Sequence, residues 1–127
     1  MYNLYLNCNS VKDIFDKANI YTPVANPLYS YKNYVEKSFF YHEIYIDKTF
    51  AEQYPLATRQ LYECQIGLTL QILYTLTGKR IKPLNVYSMY VGESNNDDLN
   101  EFIDFPMIYS KDKFVLLFDK SILNLPI

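Results

Sequence analysis

Two different periods of apolar and polar positions run along this chain. In "SVKDIFDKANIY" (10–21) Val11, Ile14, Phe15 and Ala18 recur at i, i+3, i+4 and i+7, the one-sided pattern of a surface helix. Ser10 and Asp13 stand as an S-x-x-D capping box, and Pro23 and Pro27 bar the helix from continuing. The period then drops to two. "LYSYKNYV" (28–35) predicts a strand, Glu36-Lys37 a turn, and "SFFYHEIYID" (38–47) the hairpin partner. On that second strand Phe40, His42, Ile44 and Ile46 share one face, and Phe39, Tyr41, Glu43, Tyr45 and Asp47 share the other. The first set predicts the core side.

The longest periodic stretch is "PLATRQLYECQIGLTLQILYTLT" (55–77), with Pro55 suited to the first helical turn and Gly78 to the position just past the end. At 100° per residue Ala57, Leu61, Cys64, Leu68, Ile72 and Leu76 form one apolar stripe. Tyr62, Ile66, Leu70, Leu73 and Tyr74 form a second. Only the Arg59-Glu63-Gly67-Gln71 side stays polar, so the helix is expected to be covered on two sides, by a sheet and by another helix or subunit. "PLNVYSMYV" (83–91) predicts a third strand and "SNNDDLNEFID" (94–104) a short helix with acids in its first turn. "MIYSKDKFVLLFD" (107–119) predicts a closing hairpin that turns at Lys111-Asp112-Lys113. Phe114 to Phe118 is apolar at every position, the mark of a central strand covered on both faces.

Together these elements predict one α+β domain over 1–127: a mixed, mainly antiparallel sheet of about five strands, one long helix packed on it, and two shorter helices. The apolar ending "FVLLFDKSILNLPI" needs a neighbour to cover it: either the chain is tightly tucked in there, or it has been cut where something else begins.

Composition changes this picture chiefly by exclusion. A net charge of −2 and no basic stripe argue against direct binding of nucleic acid. The cluster Lys79-Arg80-Ile81-Lys82 follows a helix end, where cations favour the dipole in any case. Cys8 and Cys64 fit no metal or redox spacing, so a reduced, cytoplasmic setting is the simpler expectation. No signal peptide and no apolar run long enough for a membrane span is present in the sequence. One histidine and three scattered glycines give no multi-His metal site, P-loop or dinucleotide fingerprint. Neither an enzyme nor a cofactor or metal is expected.

What remains is a handful of polar side chains among apolar neighbours. His42, on the presumed core face, is either a buried, hydrogen-bonded histidine or the polar anchor of a ligand pocket. Gln65 falls between Leu61, Ile72 and Leu76 and carries the same two readings, with a backbone carbonyl as the ordinary partner. Arg59 can pair with Glu63 at i, i+4 or meet a ligand carboxylate. Tyr31 and Tyr62 belong to a large set of tyrosines that suits either sheet packing or an adaptable small-molecule site. Tyr31, His42, Arg59, Tyr62 and Gln65 are the ligand-binding candidates.

The order of these pieces resembles a known family. "ATRQLYECQIGLTLQILYTLTGKRIKPLNVYSMYV" followed by "LNEFIDFPMIYSKDKFVLLFDKSILNLPI" is similar to the effector-sensing, arabinose-binding-type N-terminal domain of AraC-type bacterial transcription regulators. The shared pattern is a long helix with Arg59 near its start, a Pro-led strand from Pro83 to Val91, and a short helix over Leu99 to Phe105. The segments "FPMIYSKDKFVLLFD" and "SILNLPI" then follow, and "SVKDIFDKANIY" resembles the helix before that family's first hairpin. The resemblance implies a small-molecule effector, a homodimer, and DNA contact only through a separate helix-turn-helix region. It carries over no set of pocket residues. The alternative reading is a free-standing dimerisation or protein-interaction module with no ligand.

Overall fold

The computed structural model describes residues 8–91 and 103–127. Helix α1 (Val11–Ala25) leads into strand β1 (Tyr29–Glu36) and strand β2 (Phe39–Ile46). A short helix α2 (Lys48–Gln53) and the long helix α3 (Pro55–Thr77) follow, then β3 (Asn85–Ser88), β4 (Met107–Tyr109) and β5 (Phe114–Asp119). A 3₁₀ turn at Lys120–Asn124 closes the order. The sheet runs β1-β2-β5-β3-β4, antiparallel throughout except for the parallel β3/β4 pair. The architecture is therefore α+β with a mixed, mainly antiparallel five-stranded sheet.

β5 lies in the middle, with β2 on one side and β3 on the other. Phe114, Val115, Leu116, Leu117 and Phe118 are all buried, as an unbroken apolar run requires of a central strand. The predicted hairpin over 107–119 does not form, however. β3 takes the ladder position beside β5, and β4 pairs outside β3 instead. Val86 and Ser88 of β3 are buried whereas Ile108 and Tyr109 of β4 stay exposed, so β3 gains more cover from the inner position.

The β1–β2 hairpin is as the alternation implies, in register from Tyr29↔Ile46 to Glu36↔Phe39. That register makes Lys37-Ser38 the loop, one residue later than the predicted turn, and Lys37 takes a left-handed backbone at φ 58°. Phe40, His42, Ile44 and Ile46 all point into the core, with Phe114, Leu116 and Phe118 beside them. α1 and α3 pack on this face: Phe15 meets Phe40 edge-on at 4.8 Å between ring centroids, and Tyr62 stacks on Phe114 at 4.9 Å.

α1 departs from its expected ends. Ser10 precedes it in an extended conformation, but its side chain makes no capping bond. Its backbone instead bridges to Pro126, and Asp13 turns back to accept from the Asn9 N–H at 3.0 Å. The helix also runs through Pro23 to Ala25. Proline deprives the Asn19 carbonyl of its donor, yet Asn19 is exposed and water can replace the bond, so only the last turn is weakened. The apolar C-terminal segment is partly covered here: Val11 N–H donates to Leu125 O at 3.0 Å and Ile122 is buried, while Ile127 stays exposed.

α3 occupies the predicted span, with Pro55 in its first turn and Gly78 at φ 71° just past its end. It is covered on one side only among the described residues. The buried line takes Tyr62, Ile66 and Leu73 from the second expected stripe and adds Thr58 and Gln65, on the side toward the first. Leu68 is 52% exposed and Tyr74 46%, so the first stripe and the far edge of the second flank the buried face. α2 was not anticipated from the apolar pattern. Its signal is Asp47, whose carboxylate accepts from the Phe50 N–H at 3.0 Å as an N-cap. The helix expected over 94–104 lies almost wholly outside the described residues.

Candidate functional site

The hairpin alternation that buries His42 also places Asn33 opposite it on β1, since paired positions share a face. Asn33 Nδ2 donates to the Phe15 carbonyl at 3.2 Å, which orients the amide and leaves its oxygen toward the imidazole. His42 Nδ1 lies 2.6 Å from that Oδ1 and therefore carries the ring proton. Burial lowers the His42 pKa to about 3, so the ring stays neutral and Nε2 is left as an acceptor. Phe15 and Tyr31 flank the imidazole, each with its ring centroid 4.9 Å away.

Across from the sheet, the buried line of α3 supplies Gln65. Tyr31 Oη donates to Gln65 Oε1 at 3.0 Å, tying β1 to the helix. Between them lies a cavity of about 50 Å³ bordered by Ile14, Phe15 and Thr22 of α1, Tyr31, His42 and Gln65, and by Thr69 and Leu73 of α3. Leu68, half-exposed, stands at its rim. The lining is mostly apolar with a few placed polar groups, the composition of a small-molecule site. The volume, though, is well below the roughly 300 Å³ at which ligand pockets begin.

Of the five candidates read from the sequence, Tyr31, His42 and Gln65 converge on this cavity. Arg59 and Tyr62 stand apart from it. Arg59 Nε pairs with Glu63 Oε1 at 3.2 Å, in a partly buried position, and its guanidinium lies over the Tyr90 ring, 5.7 Å from the centroid. Tyr62 accepts from the Ile46 N–H at 3.1 Å, and burial raises its phenol pKa despite that bond. Both residues join α3 to neighbouring elements. Asn33 and Thr22 escaped the sequence reading. Asn33 could have been found from the hairpin register, which sets it opposite His42, whereas nothing local marks Thr22.

Among the described residues no group of three or more His, Cys, Asp or Glu side chains could hold a metal ion. Cys8 is buried and Cys64 exposed, and neither is in a disulfide. No helix among the described residues is long and apolar enough to cross a membrane. Compared with known proteins, the sequence matches no family model, and no curated protein is significantly similar to it.

Proposed function

We propose that this chain is the effector-sensing domain of an AraC-type regulator, acting in the cytoplasm and reaching DNA only through a separate helix-turn-helix region. The observation that carries the reading is the cavity bounded by Tyr31, His42 and Gln65, where neutral polar groups face an otherwise apolar space between two helices and a sheet. A neutral His42 with Nε2 as an acceptor favours an effector with an apolar body and one hydrogen-bond donor. At about 50 Å³ the cavity admits such a molecule only if α1 and α3 move apart. That requirement couples occupancy to shape: the effector binds the separated arrangement more tightly and so shifts the population toward it. Arg59 and Tyr62, which tie α3 to its surroundings, would then hold the part of the helix that stays fixed.

An NMR titration with indole, an apolar body bearing one N–H, tests the site. Saturable shifts at His42, Tyr31 and Gln65, abolished by Ala18→Phe at the cavity wall, are expected. Shifts that leave these residues untouched would overturn the assignment. The regulatory half is tested on the gene. A reading frame continuing past Ile127 into about 100 residues with two basic helix-turn-helix patterns is expected, and its absence removes the DNA role.

A second reading, a dimerisation module without a ligand, draws on the exposure of Leu56, Leu68 and Tyr74 along α3. Sedimentation at high micromolar concentration separates the two, since a monomer would leave that reading without support.

A further inference from the structure

The other face of the sheet carries its own polar centre, which the helix-side cavity does not use. No helix among the described residues packs there; the face presents Tyr34 of β1, Tyr41, Glu43 and Tyr45 of β2, Tyr87 of β3, and Val115 of β5. Tyr34 and Tyr41, paired across the hairpin, stack with centroids 4.8 Å apart. Beneath these rings Glu43 is only 1% exposed. Among the described residues neither of its carboxylate oxygens receives a well-aligned hydrogen bond, although Lys113 and Tyr45 lie close enough to interact with it. A buried carboxylate in that condition is costly and unusual.

Lys113 supplies countercharge, its Nζ lying 3.1 Å from Glu43 Oε1. The lysine is half-exposed and sits just before β5, and contact with Glu43 holds its pKa above the usual range. Burial and the Glu43 charge also raise the phenol pKa values of Tyr34 and Tyr45, so both stay neutral. Lys32 stands opposite Glu43 on β1, but its ammonium rests over the Tyr34 ring, 5.5 Å from the centroid. Beside the carboxylate is a pocket of about 190 Å³ lined by Tyr34, Tyr41, Glu43, Tyr87, Ser110 and Lys113, with Val115 as its floor.

We propose that this pocket binds a guanidinium group, with Glu43 as its carboxylate and the rings of Tyr41 and Tyr87 as its walls. The charge is already balanced by an ammonium near one oxygen; what the site lacks is a pair of aligned donors that engages both carboxylate oxygens at once. A guanidinium provides two parallel N–H groups in the fork that a carboxylate matches, and its flat face stacks on tyrosine rings. A quaternary ammonium would satisfy the rings but not the oxygens. Lys113, half-exposed on its long stem, yields its place, and the two N–H groups of the guanidinium offset the contact it gives up. The group could be carried by a free guanidino compound or by an arginine side chain. This assignment is independent of the helix-side cavity.

The test is an NMR titration of the full chain with methylguanidinium at constant ionic strength. Saturable shifts at Tyr41, Tyr87 and the Glu43 amide are expected. Tetramethylammonium should bind at least about tenfold more weakly, because a charge-assisted hydrogen bond contributes about that factor or more. Lys113→Ala should tighten binding severalfold by removing the competitor, and Glu43→Gln should weaken it at least about tenfold. Agmatine and an arginine-containing tripeptide then distinguish the free compound from the side chain, according to which binds tighter. Absence of saturable shifts, equal affinity for tetramethylammonium, or an unchanged affinity in Glu43→Gln each overturns the proposal. The comparison of the two cations uses the unaltered protein, so it holds even if a variant fails to fold.

Discussion

His42 shows how much one side chain can decide. As the only histidine in the chain, it contributes the only imidazole titration. Its pKa is depressed to about 3 in the folded protein from an ordinary value of 6.5, because burial penalises the charged ring. The unfolded chain therefore binds the extra proton first, and stability present above pH 6.5 is lost as pH falls below it. The loss should approach about 1.4 kcal/mol per pH unit between 6.5 and the onset of carboxylate titration. Urea unfolding at pH 7, 6, 5 and 4.5 measures it, and His42→Gln should flatten that slope. Glu43 is the complementary case on the opposite face, a buried carboxylate beside Lys113 with no well-aligned hydrogen bond among the described residues. The alternation placed it on the less apolar face but could not show that four tyrosines and a lysine would bury it there. Burial of that kind depends on what β1, β3 and the loop before β5 bring to it.

At the level of elements, α3 is the clearest success of pattern reading and its clearest limit. Its ends follow from Pro55 and Gly78, whose backbone preferences are local. Which face is buried is not local: the second stripe is buried through Tyr62, Ile66 and Leu73 while the first is not, and the polar Thr58 and Gln65 join that buried line. Polar residues can occupy that line because each finds a partner: Thr58 Oγ1 donates to the Tyr54 carbonyl at 2.7 Å, and Gln65 accepts from Tyr31. Tyr62 anchors the helix to β2 through the Ile46 N–H, so Tyr62→Phe leaves a buried donor unpaired. We expect a loss of about 1–3 kcal/mol, read from chemical denaturation, with hydrogen exchange at the Ile46 amide accelerated. A change below a few tenths of a kcal/mol would mean that water replaces the bond.

Across the whole molecule, the central strand comes almost last in the chain. β5 pairs with β2, as in His42↔Leu116, so the sheet closes only after some seventy residues have been brought together. Folding should accordingly relax in milliseconds to seconds rather than microseconds, as stopped-flow refolding would record. Leu116 is fully buried beside His42, and Leu116→Ala should cost about 3 kcal/mol, enough to threaten a domain of ordinary stability. The same closure holds the C-terminal segment against α1 and brings Ile122 under cover.

The sequence by itself determined the α+β class, the inward face of β2, the span of α3 and the central position of β5. Each of these rests on periodicity or on the fixed dihedral preferences of proline and glycine, which act over a few neighbouring residues. Only the tertiary structure decided that β3 would displace β4 from β5, which side of α3 is covered, and that Tyr31 and Gln65 would meet beside His42 while Arg59 and Tyr62 would not. Those outcomes depend on competition between distant segments for ladder bonds and for apolar cover, and no local window contains both competitors.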